Sequence, residues 1–265
     1  MEFIEIIGFF CALIIGATLG LIGGGGSILT VPVLVYLMGE DVVLSTAYSL
    51  FIVGISSAIG AKRFANKKLL DVKIASIFGI PSILTVFATR AWLVPAIPET
   101  IFKLGDFHLL KDNFLLALFA LLMILASYSM IKGRKFKNQA VKSLNYPLII
   151  TEGVIVGVLT GLVGAGGGFL IIPALVVVAG MEMKKAIGTS LAIIAAKSLA
   201  GFVGDLGNLE IDWKFLLIFT ALAVGGIFIG SSLSYKIKGD KLKPVFGWFV
   251  LIMGVLILAN ELLLM

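Results

Sequence analysis

Eight apolar stretches divide the chain, at 3–38, 42–61, 74–96, 113–131, 148–180, 186–204, 214–235 and 244–264, with most charged residues gathered between them. A helix crossing a bilayer needs about 20 residues at a rise of roughly 1.5 Å each, and six of the stretches have that length. The first and fifth are too long for one crossing. Each is interrupted by a glycine tract, Gly23-Gly24-Gly25-Gly26-Ser27 and Gly164-Ala165-Gly166-Gly167-Gly168. Glycine weakens a helix by about 1 kcal/mol per residue, so each tract predicts a break.

The two halves repeat. A shift of 141 residues lays Gly20, Gly23, Gly25, Gly26, Leu29 and Pro32 on Gly161, Gly164, Gly166, Gly167, Leu170 and Pro173. The same shift pairs Ser49 with Ser190, Ser57 with Ser198 and Asp71 with Asp212. Chance likeness between greasy helices matches leucines, but it does not also align glycines, a proline and serines in one register.

Composition then fixes the surroundings. The chain is 60% hydrophobic and 14% charged, and its mean hydropathy is +1.13; soluble domains average about 25% charged. This predicts an all-α integral membrane protein. One cysteine, Cys11, excludes a disulfide framework and cysteine-based metal sites. With His108 the single histidine, no metal or other cofactor is expected. The formal charge of +6 sits in loops, where it speaks for topology and not for nucleic acid. The first five residues lack the basic region of a signal peptide, so the N-terminus is expected to be retained.

Lysine and arginine mark cytoplasmic loops. They crowd 61–73, 132–147 and 235–243, while 97–112 and 203–213 carry acids and are expected outside. Segment 148–180 then enters from the cytoplasm and returns there. With the N-terminus outside, segment 3–38 likewise enters and leaves on one side. Residues 1–131 read as one repeat, with hairpin 3–38 and crossings 42–61, 74–96 and 113–131. Residues 132–147 form a basic cytoplasmic linker. Residues 148–265 are the second repeat, with hairpin 148–180 and crossings 186–204, 214–235 and 244–264. One re-entrant hairpin plus three crossings is an odd number per repeat, so the repeats are inverted. The competing reading, kinked through-going helices with parallel repeats, puts the N-terminus inside.

Irregular backbone at membrane depth is tolerated where it is buried or lines a wet cavity. Each glycine tract ends where a half-helix begins. The first amides there lack intrahelical acceptors and carry the positive end of the helix dipole. Two such ends meeting near the midplane make an anion site. Its candidate residues are Gly25, Gly26 and Ser27 from one tract and Gly166, Gly167 and Gly168 from the other. Close helix packing is the alternative reason for the glycines. No Gly-Lys-Ser/Thr follows either tract, so a phosphate-binding nucleotide loop is excluded.

Lys197 lies inside stretch 186–204 and is a candidate counter-charge for the anion, against the alternative that it snorkels to the outer end about 10 Å away. Thr46, Ser49, Thr189 and Ser190 follow the tracts and can donate to an oxyanion or bond back to helix carbonyls. Arg90, Trp92, His108 and Trp213 read as interface residues, and Pro32 and Pro173 as structural.

The segments from Gly20 to Pro32 and from Gly161 to Pro173 resemble the duplicated glycine–proline signature of the TauE/SafE sulfite exporter family, and the likeness extends over essentially the whole chain. The copies differ, with Ala165 for Gly24 and Gly168 for Ser27. The resemblance implies a multi-pass plasma-membrane transporter of sulfite, sulfonates or related organic anions, most simply an exporter. A membrane enzyme is disfavoured because His108 stands alone and no carboxylate pair lies at membrane depth; an ion channel stays open. The expected partners are a small anion and the lipid bilayer, and a homo-oligomer is left open.

Overall fold

The computed structural model describes residues 3–22, 25–104, 107–132, 146–177, 179–234 and 239–264. Gly23, Gly24 and most of the basic loops 132–147 and 235–243 lie outside the described residues or their described side chains.

Helix α1 spans Phe3–Ile22. Past the break a composite helix, α2, runs as a 3-10 piece Gly25–Leu29, an α turn Thr30–Pro32 and a π turn Val33–Leu37. Then follow α3 Val42–Ala65 and α4 Val72–Ala96, the latter with a π turn at Thr89–Leu93. A two-stranded antiparallel ribbon, β1 Thr100–Leu104 and β2 Phe107–Leu110, precedes α5 Lys111–Ile131. The second half contains α6 Tyr146–Val163, α7 Gly168–Val177, α8 Met183–Asp205, α9 Trp213–Ser234 and α10 Gly239–Leu264. The fold is all-helical, as expected, apart from this one short ribbon between α4 and α5. The β-prone Thr100, Ile101 and Phe102 suit a strand, and the Lys111 amide closes the ribbon on the Glu99 carbonyl at 3.0 Å.

Helix starts follow local chemistry. Asp41, Asp71 and Asp212 each cap a helix by accepting from the amide three residues on, Leu44 at 2.9 Å, Ile74 at 3.1 Å and Phe215 at 3.0 Å. Among the described residues, six helices are long and apolar enough to cross a membrane. Tyr146–Val163 is among them by length and composition, although its partners place both ends of 146–183 at one end of the bundle. There Lys73 lies 5.3 Å from the Tyr146 ring, and Lys185 bonds Asp71 at 2.8 Å. At the other end, Met38 after α2 packs on Gly8 near the start of α1.

Glycines set the helix contacts. α1 and α9 run side by side in the same direction, with Gly16 on the Ala223 carbonyl, Gly20 on Ile227 and Gly230 on Ala17. α4 and α6 do the same through Gly153 on Phe78, Gly157 on Ser82 and Gly161 on Thr89. α3 and α8 cross in opposite senses, with Gly54 on Leu199 and Gly60 on Leu191. α5 and α10 pair through Gly254 against Ala120 and Met123. Missing side chains let backbones approach where lipid gives no hydrophobic drive for association.

Leu84, Trp92, Leu125, Ile229 and Leu256 are more than half exposed, so the outside is apolar. The interior is largely apolar too, but it also buries polar and charged groups. Arg90 and Lys197 stand among its largest fully buried side chains, beside Tyr48, Phe78 and Phe119.

Candidate functional site

The two glycine tracts meet. A Cβ added to Gly166 would lie 2.6 Å from Val53 Cγ1, 3.3 Å from Ser27 Cβ and 3.5 Å from Ile194 Cγ2. The first tract, the second tract, α3 and α8 therefore converge on one point. Gly164, Gly166 and Gly167 have φ of +72°, +64° and +62°, a left-handed backbone that glycine alone adopts without cost. Gly168 is buried and opens α7. In the first tract Gly25 opens the 3-10 turn, and Gly26 is required for another reason: a Cβ there would strike the Leu19 amide and Thr18 of α1.

Lys197 projects into this point. It is fully buried, and its Nζ donates to Thr160 Oγ1 at 2.8 Å. A Cβ on Gly167 would sit 2.7 Å from that Nζ, so the ammonium lies against the residue that precedes α7. No carboxylate pairs with it among the described residues. The space beside Thr160 and Gly167, walled by Leu122, Leu159 and Phe169, is closed to a water-sized sphere. Snorkelling does not describe this side chain, because it ends inside the protein.

The hydroxyl candidates divide. Ser27 is fully buried at the meeting point. Ser49 is buried without a hydrogen-bond partner, as are Thr30, Ser56, Ser57, Ser82 and Ser198 among the described residues. Each such hydroxyl costs about 1–3 kcal/mol unless something bonds it. Ser190 bonds back to the Ile187 carbonyl at 2.9 Å. Thr46 packs on Gly164; its hydroxyl donates to the Val43 carbonyl at 2.7 Å and accepts from Arg90 at 2.9 Å. Thr189 stands apart, accepting the Asp71 amide at 3.0 Å near the start of α4.

Sequence reasoning missed Thr160, Arg90 and Asp205. Arg90 is no interface anchor: it is fully buried, and Nη2 and Nε reach Asp205 Oδ2 at 2.7 and 2.8 Å. Nη1 reaches the Gly161 carbonyl at 3.2 Å. One signal was available, since Arg90 and Asp205 end two apolar stretches assigned to the same side. Trp92 and Trp213 are exposed, as interface residues would be.

Apolar helices that bury charged and polar side chains among them, with broken helices meeting inside, define a multi-pass membrane transporter. The family model for sulfite exporter TauE/SafE matches residues 8–257, and the chain belongs to that family, which is one of transporters and not of enzymes. It is similar to a "Probable membrane transporter protein" of Xylella fastidiosa (strain 9a5c), 28% identical over 92% of this chain and 91% of that one. It is also similar to "Probable membrane transporter protein MJ0441" of Methanocaldococcus jannaschii, 27% identical over 96% and 93%, and to YunE of Bacillus subtilis (strain 168), 26% identical over 91% and 93%. No solved structure matches the chain.

Proposed function

We propose that the protein exports small oxyanions (sulfite, sulfonates or related organic acids) across the plasma membrane. The anion binds between Lys197 and the glycine-tract ends of α2 and α7, with Ser27, Ser49 and Ser190 as further hydroxyl contacts. One observation carries this reading: a fully buried ammonium lies against the N-terminal end of a broken helix, with no carboxylate paired to it among the described residues. Two positive ends held together in a low dielectric repel unless an anion lies between them.

The chain reads as two inverted repeats, 1–131 and 148–265, each with a re-entrant hairpin. Two pairs of contacts related by the 141-residue shift support this. The Asp71 amide donates to Thr189, and the Asp212 amide donates to Tyr48 at 2.9 Å; the pairing of α1 with α9 likewise corresponds to that of α6 with α4. The end bearing Lys62, Arg63, Lys67, Lys73 and Lys185 is cytoplasmic by the lysine and arginine rule. Efflux of an anion is then favoured by about 2.3 kcal/mol per charge per 100 mV, so export needs no coupled ion.

The test is flux from liposomes containing the purified protein and loaded in turn with sulfite, a sulfonate, sulfate and a small carboxylate. Sulfite or sulfonate efflux well above that of protein-free liposomes is expected. A folded protein that moves none of the four would refute the reading.

A further inference from the structure

Two ion pairs join the same two helices. α4 and α8 run in the same direction, and near their starts Asp71 pairs with Lys185 at 2.8 Å. Near their other ends Arg90 pairs with Asp205 at 2.7 Å. The pairs are unequal. The side chains of the first are 42% and 24% exposed, those of the second 3% or less. An exposed pair is screened and holds weakly, whereas removing one partner of a buried pair leaves an uncompensated charge.

The buried pair reaches further than two helices. Arg90 also bonds Thr46 of α3 and the Gly161 carbonyl of α6. Gly161 lies three residues before Gly164, where α6 gives way to the broken tract. One guanidinium thus ties α3, α4, α6 and α8 at the level where the second glycine segment turns. The segment cannot swing away from α3 at this end while that network is made. Arg90 is also seated in a π turn, Thr89–Leu93, a local irregularity that is common where helices carry function.

We propose that Arg90–Asp205 and Asp71–Lys185 are the two latches of an alternating-access cycle. The buried latch keeps the Asp205 end shut, and the exposed latch lets the Asp71 end open first. An anion therefore enters from the basic end, and release requires the Arg90 network to part. Arg90 and Asp205 act by positioning helices and do not touch the substrate. The proposal rests on the transporter reading but not on Lys197 or on which anion is carried.

Ser49 and Ser190, both fully buried, report on the two ends. Ser49 lies one turn beyond Thr46 on α3, and Ser190 follows Thr189, which bonds Asp71. In a Cys11→Ala background, single cysteines are placed at 49 or 190 and labelled by a charged methanethiosulfonate in purified, detergent-solubilised protein, where both ends are open to the reagent, without substrate. With both latches intact, the cysteine at 190 is expected to label several-fold faster than the one at 49. Asp205→Asn is expected to raise the rate at 49 at least tenfold, while Asp205→Glu, which keeps the charge, raises it less. A rate at 49 within twofold of the parent in a folded Asp205→Asn protein overturns the proposal. Should that variant fail to fold, the intact protein still decides, because equal or reversed rates at 49 and 190 contradict unequal latches. Neither outcome depends on sulfite flux.

Discussion

Replacing Lys197 by methionine separates a binding charge from a packing residue, because the two readings predict opposite changes. The methionine keeps most of the stem and removes the ammonium. An oxyanion held over Gly167 would sit about 4 Å from Nζ, given that a Cβ at Gly167 would lie 2.7 Å from that atom. At an effective dielectric of about 20, unit charges at that distance attract by about 4 kcal/mol, or roughly a thousandfold in affinity. Side-chain adjustment and water reduce this, so a loss of about 100- to 1,000-fold is expected. Stability moves the other way. The cost of burying an ammonium disappears, offset by the Thr160 hydroxyl left unpaired at about 1–3 kcal/mol. The assay is a thermal scan in detergent, with and without sulfite over a wide concentration range. Wild type should gain melting temperature with sulfite, whereas Lys197→Met should start level or higher and gain almost nothing. An equal sulfite-induced shift in both proteins would refute the charge argument, whatever happens to the starting temperature.

Two further outcomes test the fold and its charges. Gly230→Leu should abolish the monodisperse gel-filtration peak, since any Cβ there runs into the Ala17 backbone of α1, while Gly207→Ala, with nothing within 4 Å, should leave it unchanged. Burial raises the Glu40 carboxyl above the ordinary carboxylate range, and Asp212 and Asp41 add to this; the folded chain thus holds that proton more tightly than the unfolded chain does. Its contribution to stability falls as pH rises from about 4.3 through the raised value. Glu40→Gln should therefore melt higher than wild type at pH 7, and the difference should close near pH 4.

The sequence made the spans legible because length and apolar composition are local properties, and the breaks legible because consecutive glycines oppose helix wherever they occur. Lys197 could be nominated because an ammonium in an apolar stretch is anomalous by itself. Partner choice was not legible in the same way. Arg90 and Asp205 are 115 residues apart, and each alone resembles an interface residue at the end of a helix. Thr46 and Thr189 had suitable chemistry, but which acceptor or donor each meets depends on helix rotation. The π turn in α4 changes that rotation locally, and nothing in Thr89–Leu93 announces it. The ribbon at 100–110 was hidden for a different reason: two strands of four or five residues between long apolar runs are a weak signal.

The side-by-side contacts of α1 with α9 and of α6 with α4 have a consequence for biosynthesis. α1 leaves the ribosome well before α9, yet the backbone groove it packs into belongs to that helix, about 200 residues later. At a translation rate of about 5–20 residues per second, the first glycine segment waits roughly 10 to 40 s for its neighbour. During that time Gly16 and Gly20 face lipid or the insertion machinery and not the carbonyls of α9. A nascent chain stopped after α5 leaves α1 and α3 without α9 and α8, so quality control meets an unassembled set of helices until those two have been made.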